Sequence, residues 1–295
     1  MELKEGIIVA ISNNFADVKV EDNFYQAHIS AKVKNAEELL VGDKISVRIF
    51  GKKEAVIEKI LPRTNELYRP KIANIDQIVI VNALAQPTFN TLILNKLLTL
   101  FNFYQIPVML VFTKIDLVLA DDPILAKIPY YQDLKYPSYF ISNVSKTGIK
   151  KLSKIFAQKF SLLTGLSGVG KSSLLNSLEP ELKLATREIS AALKHGKHTT
   201  TTTKLYFLLN GVIADSPGFM VLKLQGLTRQ DLAANFPVIK DFFSKCKFAD
   251  CLHQNEPDCQ VIARVNEETQ DPSHNLIKFF YQDYCKILLE FVYLA

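Results

Sequence analysis

No uninterrupted apolar run in this 295-residue chain approaches the roughly 20 residues that a membrane-spanning helix requires. The opening MELKEGIIVAIS carries acids and only a short apolar stretch, so no secretory signal is expected and a cytoplasmic protein is predicted. Four cysteines are too few to staple a chain of this length with disulfides. There is no internal repeat, and the threonine run Thr199–Thr203 is the nearest approach to low complexity. These absences leave an ordinary globular chain. Its 48% hydrophobic and 22% charged residues suffice for two domains, or three small ones.

The net charge of +5 is uneven, with −1 on residues 1–61, −3 on residues 226–295 and therefore +9 on residues 62–225. Five lysines and no acid lie between Val144 and Phe160. A solvated helix face accounts for such a run, but so basic a middle segment also suits polyanions, nucleotide first and RNA second.

The first sixty residues read as five short strands: Gly6–Ser12, Ala16–Val20, Phe24–Ile29, Lys44–Ile49 and Ala55–Ile60. Turn signals such as Ser-Asn-Asn and Val-Gly-Asp separate them. Five strands suit an oligonucleotide-binding (OB) barrel, with an SH3-like barrel as the competing reading. From Asp76 the rhythm changes to buried strands (IDQIVIVNALA, IPVMLVFTKID, YPSYFIS, SLLTG) alternating with helical stretches at Leu92–Phe103 and Ile149–Phe160. That alternation predicts a parallel α/β sheet. In KLYFLLNGVIAD, Asn210-Gly211 marks a hairpin. Beyond residue 225 helices are expected at Asp231–Cys246 and Asn275–Tyr293.

The chemistry sits in short motifs. Gly165-x-x-x-x-Gly170-Lys171-Ser172, framed by strand SLLTG and helical KSSLLNSL, has the form of a phosphate-binding loop. In such a loop the amides of Gly165, Ser167, Gly168, Val169, Gly170, Lys171, Ser172 and Ser173 surround phosphates. Lys171 would reach the β- and γ-phosphates and Ser172 would hold Mg²⁺. Asp215-Ser-Pro-Gly218 closes the hairpin, offering a carboxylate to Mg²⁺ through water and a glycine amide to the γ-phosphate.

Thr113-Lys114-Ile115-Asp116 ends a buried strand. The carboxylate of Asp116 can accept both N1–H and N2–H of guanine, and the Lys114 stem can lie along the base. Asn stands in standard GTPases where Thr113 stands here, so that residue's bond to the phosphate loop must be made differently. Ser142, Asn143 and Gly148 occupy the place where a contact to the purine O6 is usually supplied. An ATPase or small-molecule kinase is disfavoured by Asp116.

The base-reading motifs precede the phosphate-reading ones, the reverse of the usual order, so the domain is read as circularly permuted. A barrel, a permuted nucleotide domain and a trailing cysteine cluster together resemble the RsgA/YjeQ family of ribosome-biogenesis GTPases, nearly end to end. Ile57-Glu-Lys-Ile-Leu-Pro-Arg63…Leu67-Tyr-Arg-Pro70 is similar to that family's barrel junction, and Lys197-His198-Thr199-Thr200-Thr201 to its switch I. The resemblance implies a GTPase that binds the small ribosomal subunit and its rRNA late in maturation and is stimulated by it. The expected fold is α/β: a circularly permuted P-loop GTPase domain (63–225), an N-terminal OB-type β-barrel (1–62) and a C-terminal helical zinc-binding domain (226–295).

Cys246-x4-Cys251-x-His253-x5-Cys259 supplies three thiolates and an imidazole, a closed tetrahedral set for structural Zn²⁺. The spacing alone also admits unpaired buried thiols, and the family pattern implies zinc. Cys285, within an aromatic and aliphatic helix, reads as a core filler.

For hydrolysis, Lys171 and Mg²⁺ held by Ser172, Asp215 and a switch I threonine (Thr200 or Thr201) would neutralise charge. Many GTPases place a Gln after the DxxG glycine to orient water. Here Phe219 occupies that position, so slow intrinsic turnover is expected, with His198 as the candidate water-positioning residue. The leading expectation is a GTPase whose hydrolysis times its release from RNA, working as a monomer. The alternative is an rRNA-binding placeholder for which guanine nucleotide is mainly a ligand.

Overall fold

The computed structural model describes residues 3–184, 203–216, 224, 226–267 and 272–291. The chain divides into two compact units. One comprises Met1–Ile78, Lys151–Thr164 and Lys194–Pro217, and the other Val79–Lys150, Gly165–Leu193 and Gly218–Ala295.

The first unit opens with β1 (Leu3–Ile11), β2 (Phe15–Val20), β3 (Asn23–Ile29), helix α1 (Ala31–Ala36), β4 (Lys44–Phe50) and β5 (Glu54–Ile60). The five strands close into a barrel in the order β1-β2-β3-β5-β4, with β1 also pairing β4. This order decides between the two barrels that the sequence allowed. β5 lies parallel to β3 because α1 and β4 intervene as a crossover, which is the OB arrangement. Alternation builds the interior: Ile8, Ala16, Val18, Val20, Ala27, Ile45, Val47, Ala55 and Ile57 are buried. Each fully buried Val or Ile contributes about 1.5–3 kcal/mol. Ser30 caps α1 by accepting from the Val33 amide at 3.4 Å, and Val33 joins the barrel core.

Beyond the barrel a small hairpin, β6 (Glu66–Leu67) with β7 (Ile72–Ala73), is stitched back by Arg63. Its guanidinium donates to both carboxylate oxygens of the fully buried Asp43, at 2.7 and 2.9 Å. It also donates to Glu66 and to the Glu38 carbonyl, each at 2.6 Å.

The remaining strands are β8 (Gln77–Ala83), β9 (Val108–Thr113), β10 (Ser138–Phe140), β11 (Phe160–Thr164), β12 (Lys204–Leu208) and β13 (Gly211–Asp215). They form one six-stranded sheet in the order β10-β9-β8-β11-β13-β12. β10 runs parallel to β9 and β11 parallel to β13, while β12 returns antiparallel to β13 at the edge. β8 is buried at six of its seven positions, as a strand covered on both faces should be.

The second unit's helices are α2 (Thr91–Phe103), α3 (Ile128–Asp133), α4 (Ile149–Ser153), α5 (Lys171–Leu178), α6 (Arg229–Asn235), α7 (Lys240–Phe243), α8 (Gln260–Asn266) and α9 (Pro272–Glu290), with α4 crossing its edge. α9 docks on α2 through polar contacts: Asn95 Nδ2 donates to Asp283 at 2.9 Å and Lys96 to Glu290 at 2.6 Å.

Three helices differ from the sequence expectation. The stretch read as Ile149–Phe160 ends at Ser153 and tightens to a 3₁₀ turn, Lys154–Phe156. There the chain turns through Gln158 (φ 55°), whose amide donates to Asn210, and Phe160 already opens β11. The stretch read as Asp231–Cys246 starts at Arg229, where Thr228 and Asp231 form a capping box. It breaks into α6 and α7 around Pro237, which offers no amide, and Val238, whose φ is 67°. The last helix begins at Pro272, earlier than Asn275. Cys285 is only half-buried on α9 and so does not fill the core. Among the described residues no helix is long and apolar enough to cross a membrane.

Candidate functional site

β11 leads into a loop whose shape requires glycine. Gly165 has φ 143°, and a Cβ there would stand 2.2 Å from the Val81 carbonyl oxygen. Gly168 and Gly170 are also left-handed, at 82° and 101°. Gly170 caps α5, where the Leu174 amide donates to its carbonyl at 2.8 Å. Ser172 and Ser173 lie half-buried on the first turn of α5, and Ser167 is exposed on the loop. Lys171 reaches back to the carbonyls of Gly165 at 2.8 Å and Leu166 at 3.1 Å. Backbone amides and the positive end of a helix make such a loop a cradle for anions.

Two residues of the segment expected to read the base, Thr113 and Lys114, come to this loop. Thr113, fully buried at the end of β9, donates from Oγ1 to the Val169 carbonyl at 2.6 Å. Lys114 adopts a left-handed backbone (φ 59°) and donates from Nζ to Gly168 O at 3.0 Å and to Gln86 O. The 3₁₀ turn Ile115–Leu117 follows directly and leaves Asp116 exposed, its carboxylate able to accept from two donors. The Ser142 hydroxyl accepts from the Ser145 amide at 3.1 Å and holds the next loop in shape. Asn143 reaches α5, its Oδ1 accepting from the Ser177 hydroxyl at 3.1 Å. Lys146 donates to the same hydroxyl at 3.0 Å, a contact that the sequence did not signal. Gly148 (φ 75°) would bring a Cβ within 2.2 Å of Phe140 O, so this turn also needs glycine.

Asp215 ends β13, half-buried and in register with Leu163 and Lys204. The following Ser216 is pinned by its amide and its hydroxyl, each donating to Leu163 O at 3.3 Å. Burial raises the pKa of the Tyr206 phenol, and Asp215 adds to the shift. His198, Thr200, Thr201, Gly218 and Phe219 lie outside the described residues.

The second unit holds a separate cluster. The ligand atoms of Cys246, Cys251, His253 and Cys259 all lie within 4.8 Å of one another. His253 Nδ1 stands 3.5, 3.3 and 3.4 Å from the three sulfurs, and Cys246 Sγ stands 3.9 Å from Cys259 Sγ. A zinc ion with bonds of about 2.0 Å to nitrogen and 2.3 Å to sulfur needs tetrahedral edges of about 3.5–3.8 Å. The donor set fits zinc.

The cluster's electrostatics agree with a cation site. Burial pushes the Cys251 thiol up to about 12 and raises Cys259, so a cation is needed to hold them as thiolates at neutral pH. Burial lowers His253, keeping a neutral imidazole for a metal. The surrounding loop is stiffly held. Glu256 accepts from the amides of Leu252, Gln254 and Asn255 at 2.8–3.1 Å. Tyr284 and Tyr281 of α9 donate to the carbonyls of Leu252 and His253, both at 2.8 Å.

The model of the RsgA GTPase family matches residues 60–225. A small ribosomal subunit biogenesis GTPase RsgA of Bacillus pumilus is 40% identical over 261 residues, 87% of this chain and 85% of that one. Another of that name, from Mycoplasmopsis pulmonis, is 37% identical over 97% of this chain and 98% of its own. Among solved structures, YloQ, described as a circularly permuted GTPase, superposes with a TM-score of 0.80 at 30% identity, covering all of this chain and 96% of its own. YjeQ from Thermotoga maritima gives 0.82 at 29% identity, with 99% of each chain covered. The chain therefore belongs to the RsgA GTPase family: it is a GTP hydrolase with a circularly permuted domain.

Proposed function

We propose that this protein acts in biogenesis of the small ribosomal subunit, binding the subunit and its rRNA and hydrolysing GTP to GDP and phosphate at a rate the subunit stimulates. The relatives' names support the subunit as partner. The single observation that carries the guanine-nucleotide reading is the direct grip of Thr113 and Lys114 on the phosphate loop, which joins a guanine-reading segment to a phosphate cradle.

In this reading Asp116 selects guanine through N1–H and N2–H, with Lys114 along the base and Ser142, Asn143 and Gly148 near O6. The loop from Gly165 to Ser173 surrounds the phosphates, and Lys171 leaves its carbonyl partners for the β- and γ-phosphates. When bound, magnesium would neutralise phosphate charge, held by Ser172 and, by their motifs, Asp215 and Thr200 or Thr201. The Gly218 amide meets the γ-phosphate, and His198 positions water in place of the Gln that Phe219 replaces. Zinc on Cys246, Cys251, His253 and Cys259 is structural, because four protein ligands leave no open position. Residues 1–62, 63–225 and 226–295 serve as barrel, GTPase and zinc-binding domains of a cytoplasmic monomer.

The test is GTP hydrolysis by the purified protein, alone and with small ribosomal subunits. A slow basal rate rising by about two orders of magnitude or more supports a partner-coupled GTPase. A rate unchanged by subunits leaves a guanine-nucleotide binder acting as a placeholder.

A further inference from the structure

We infer that Lys19 and Phe24 of the barrel position the β12–β13 hairpin by holding Phe207, so that the barrel and the nucleotide-sensing end of that hairpin report to each other. The inference rests on the proposed magnesium role of Asp215.

Lys19 and Phe24 are directly opposed across β2 and β3. Val18 and Val20, which flank Lys19, belong to the barrel core, so strand alternation turns Lys19 outward, and Phe24, directly opposite it, shares that outer face. Phe24 is 54% exposed, an aromatic side chain on the outer face of a small barrel. Phe207 of β12 meets both. Its ring lies 5.8 Å from that of Phe24 at 75°, and Lys19 Nζ stands 4.7 Å above its centroid. An edge-to-face ring pair and a cation over the ring face both depend on angle and distance, so a small slide of β12 changes both.

The hairpin is built to transmit such a slide. Its tip is clamped: a Cβ on Gly211 would stand 2.1 Å from Phe156 O, and the Val212 amide donates to Lys159 O at 2.9 Å. β13 runs from that clamp along β11 to Asp215, and Ser216 is fastened to Leu163. Because the tip and β13 are both fastened to β11, hairpin and β11 move as one piece, so a displacement imposed at Asp215 is carried along β13 to Val212, the partner of Phe207. Phe207 then moves against the barrel. In the other direction, a partner that displaces Phe24 or Lys19 changes the hairpin's resting position.

Hydrogen exchange of residues 15–29 in the full-length protein, with GDP and with a non-hydrolysable GTP analogue, tests this. The wild type should show different protection in the two states, Phe207→Leu should lose that difference while keeping apolar bulk, and Phe207→Tyr should restore it. Identical wild-type patterns overturn the inference, as does a difference that survives in Phe207→Leu. In hydrolysis with small ribosomal subunits, Phe207→Leu and Phe24→Ala should each lower stimulated kcat by about tenfold, with basal kcat and KM within about twofold. The double variant should be no slower than either single one. Multiplying losses, or a basal rate that falls equally, would show a merely structural contact. If subunits fail to stimulate the wild type, the partner reading fails, and the exchange comparison still decides the positioning role.

Discussion

The Thr113 hydroxyl donates at 2.6 Å to the Val169 carbonyl oxygen, joining the end of β9 to the phosphate loop. Where standard GTPases use Asn, this chain makes the bond with a side chain one atom shorter. Both groups are buried, so removing the donor strands an acceptor. Thr113→Val should destabilise the fold by about 1–3 kcal/mol and weaken GDP binding by about tenfold. Its kcat at saturation should change less than about twofold. Fluorescent-nucleotide titration with a thermal melt checks this, and unaltered affinity would show that the bond does not organise the site.

Asp116 lies two residues after the left-handed Lys114, exposed in the middle of the 3₁₀ turn Ile115–Leu117. Replacing its carboxylate by an amide turns one acceptor into a donor facing the guanine donors. Asp116→Asn should lower GTP affinity by on the order of a hundredfold or more and favour xanthosine triphosphate, whose C2 carbonyl accepts. Competition between the two nucleotides reads the switch. GTP preference kept in the variant would remove Asp116 from base recognition.

The cysteine cluster carries a pH prediction with a definite sign. In the metal-free fold burial holds Cys251 up near about 12, so zinc must displace its proton. Zinc affinity should therefore fall as pH falls, with proton release on loading measurable by calorimetry in buffers of different ionisation enthalpy. Cys251→Ala should lose most bound zinc and lower Tm by roughly 5 °C or more. Metal analysis showing full zinc in that variant would exclude Cys251 as a ligand.

His198→Ala should bind GDP within about twofold of the wild type and lose about a hundredfold of subunit-stimulated hydrolysis. Single-turnover kinetics at saturating subunit separates chemistry from binding. Wild-type turnover would assign the water to another residue.

Motifs whose chemistry is local were legible in the sequence: the glycines at 165, 168 and 170 and the four metal-ligand candidates. The hairpin was legible too, but its turn falls on Leu209 and Asn210, both left-handed, and Gly211 already opens β13. Backbone conformation and donor type follow from residue identity, and the reversed motif order alone pointed to permutation. The barrel strands could be read too, because burying one face imposes a period of two. The tertiary structure decided what depends on residues far apart in the chain. Strand order made the barrel an OB fold, since pairing β5 with β3 is a choice among edges that no local pattern encodes. Thr113 found its acceptor 56 residues away. Lys19 and Phe24, unremarked as sequence, gained a meaning only when folding brought Phe207 against both. The helices at 149–160 and 231–246 were misjudged for the same reason: apolar periodicity ran on, but neighbouring strands and a proline set where the chain had to turn.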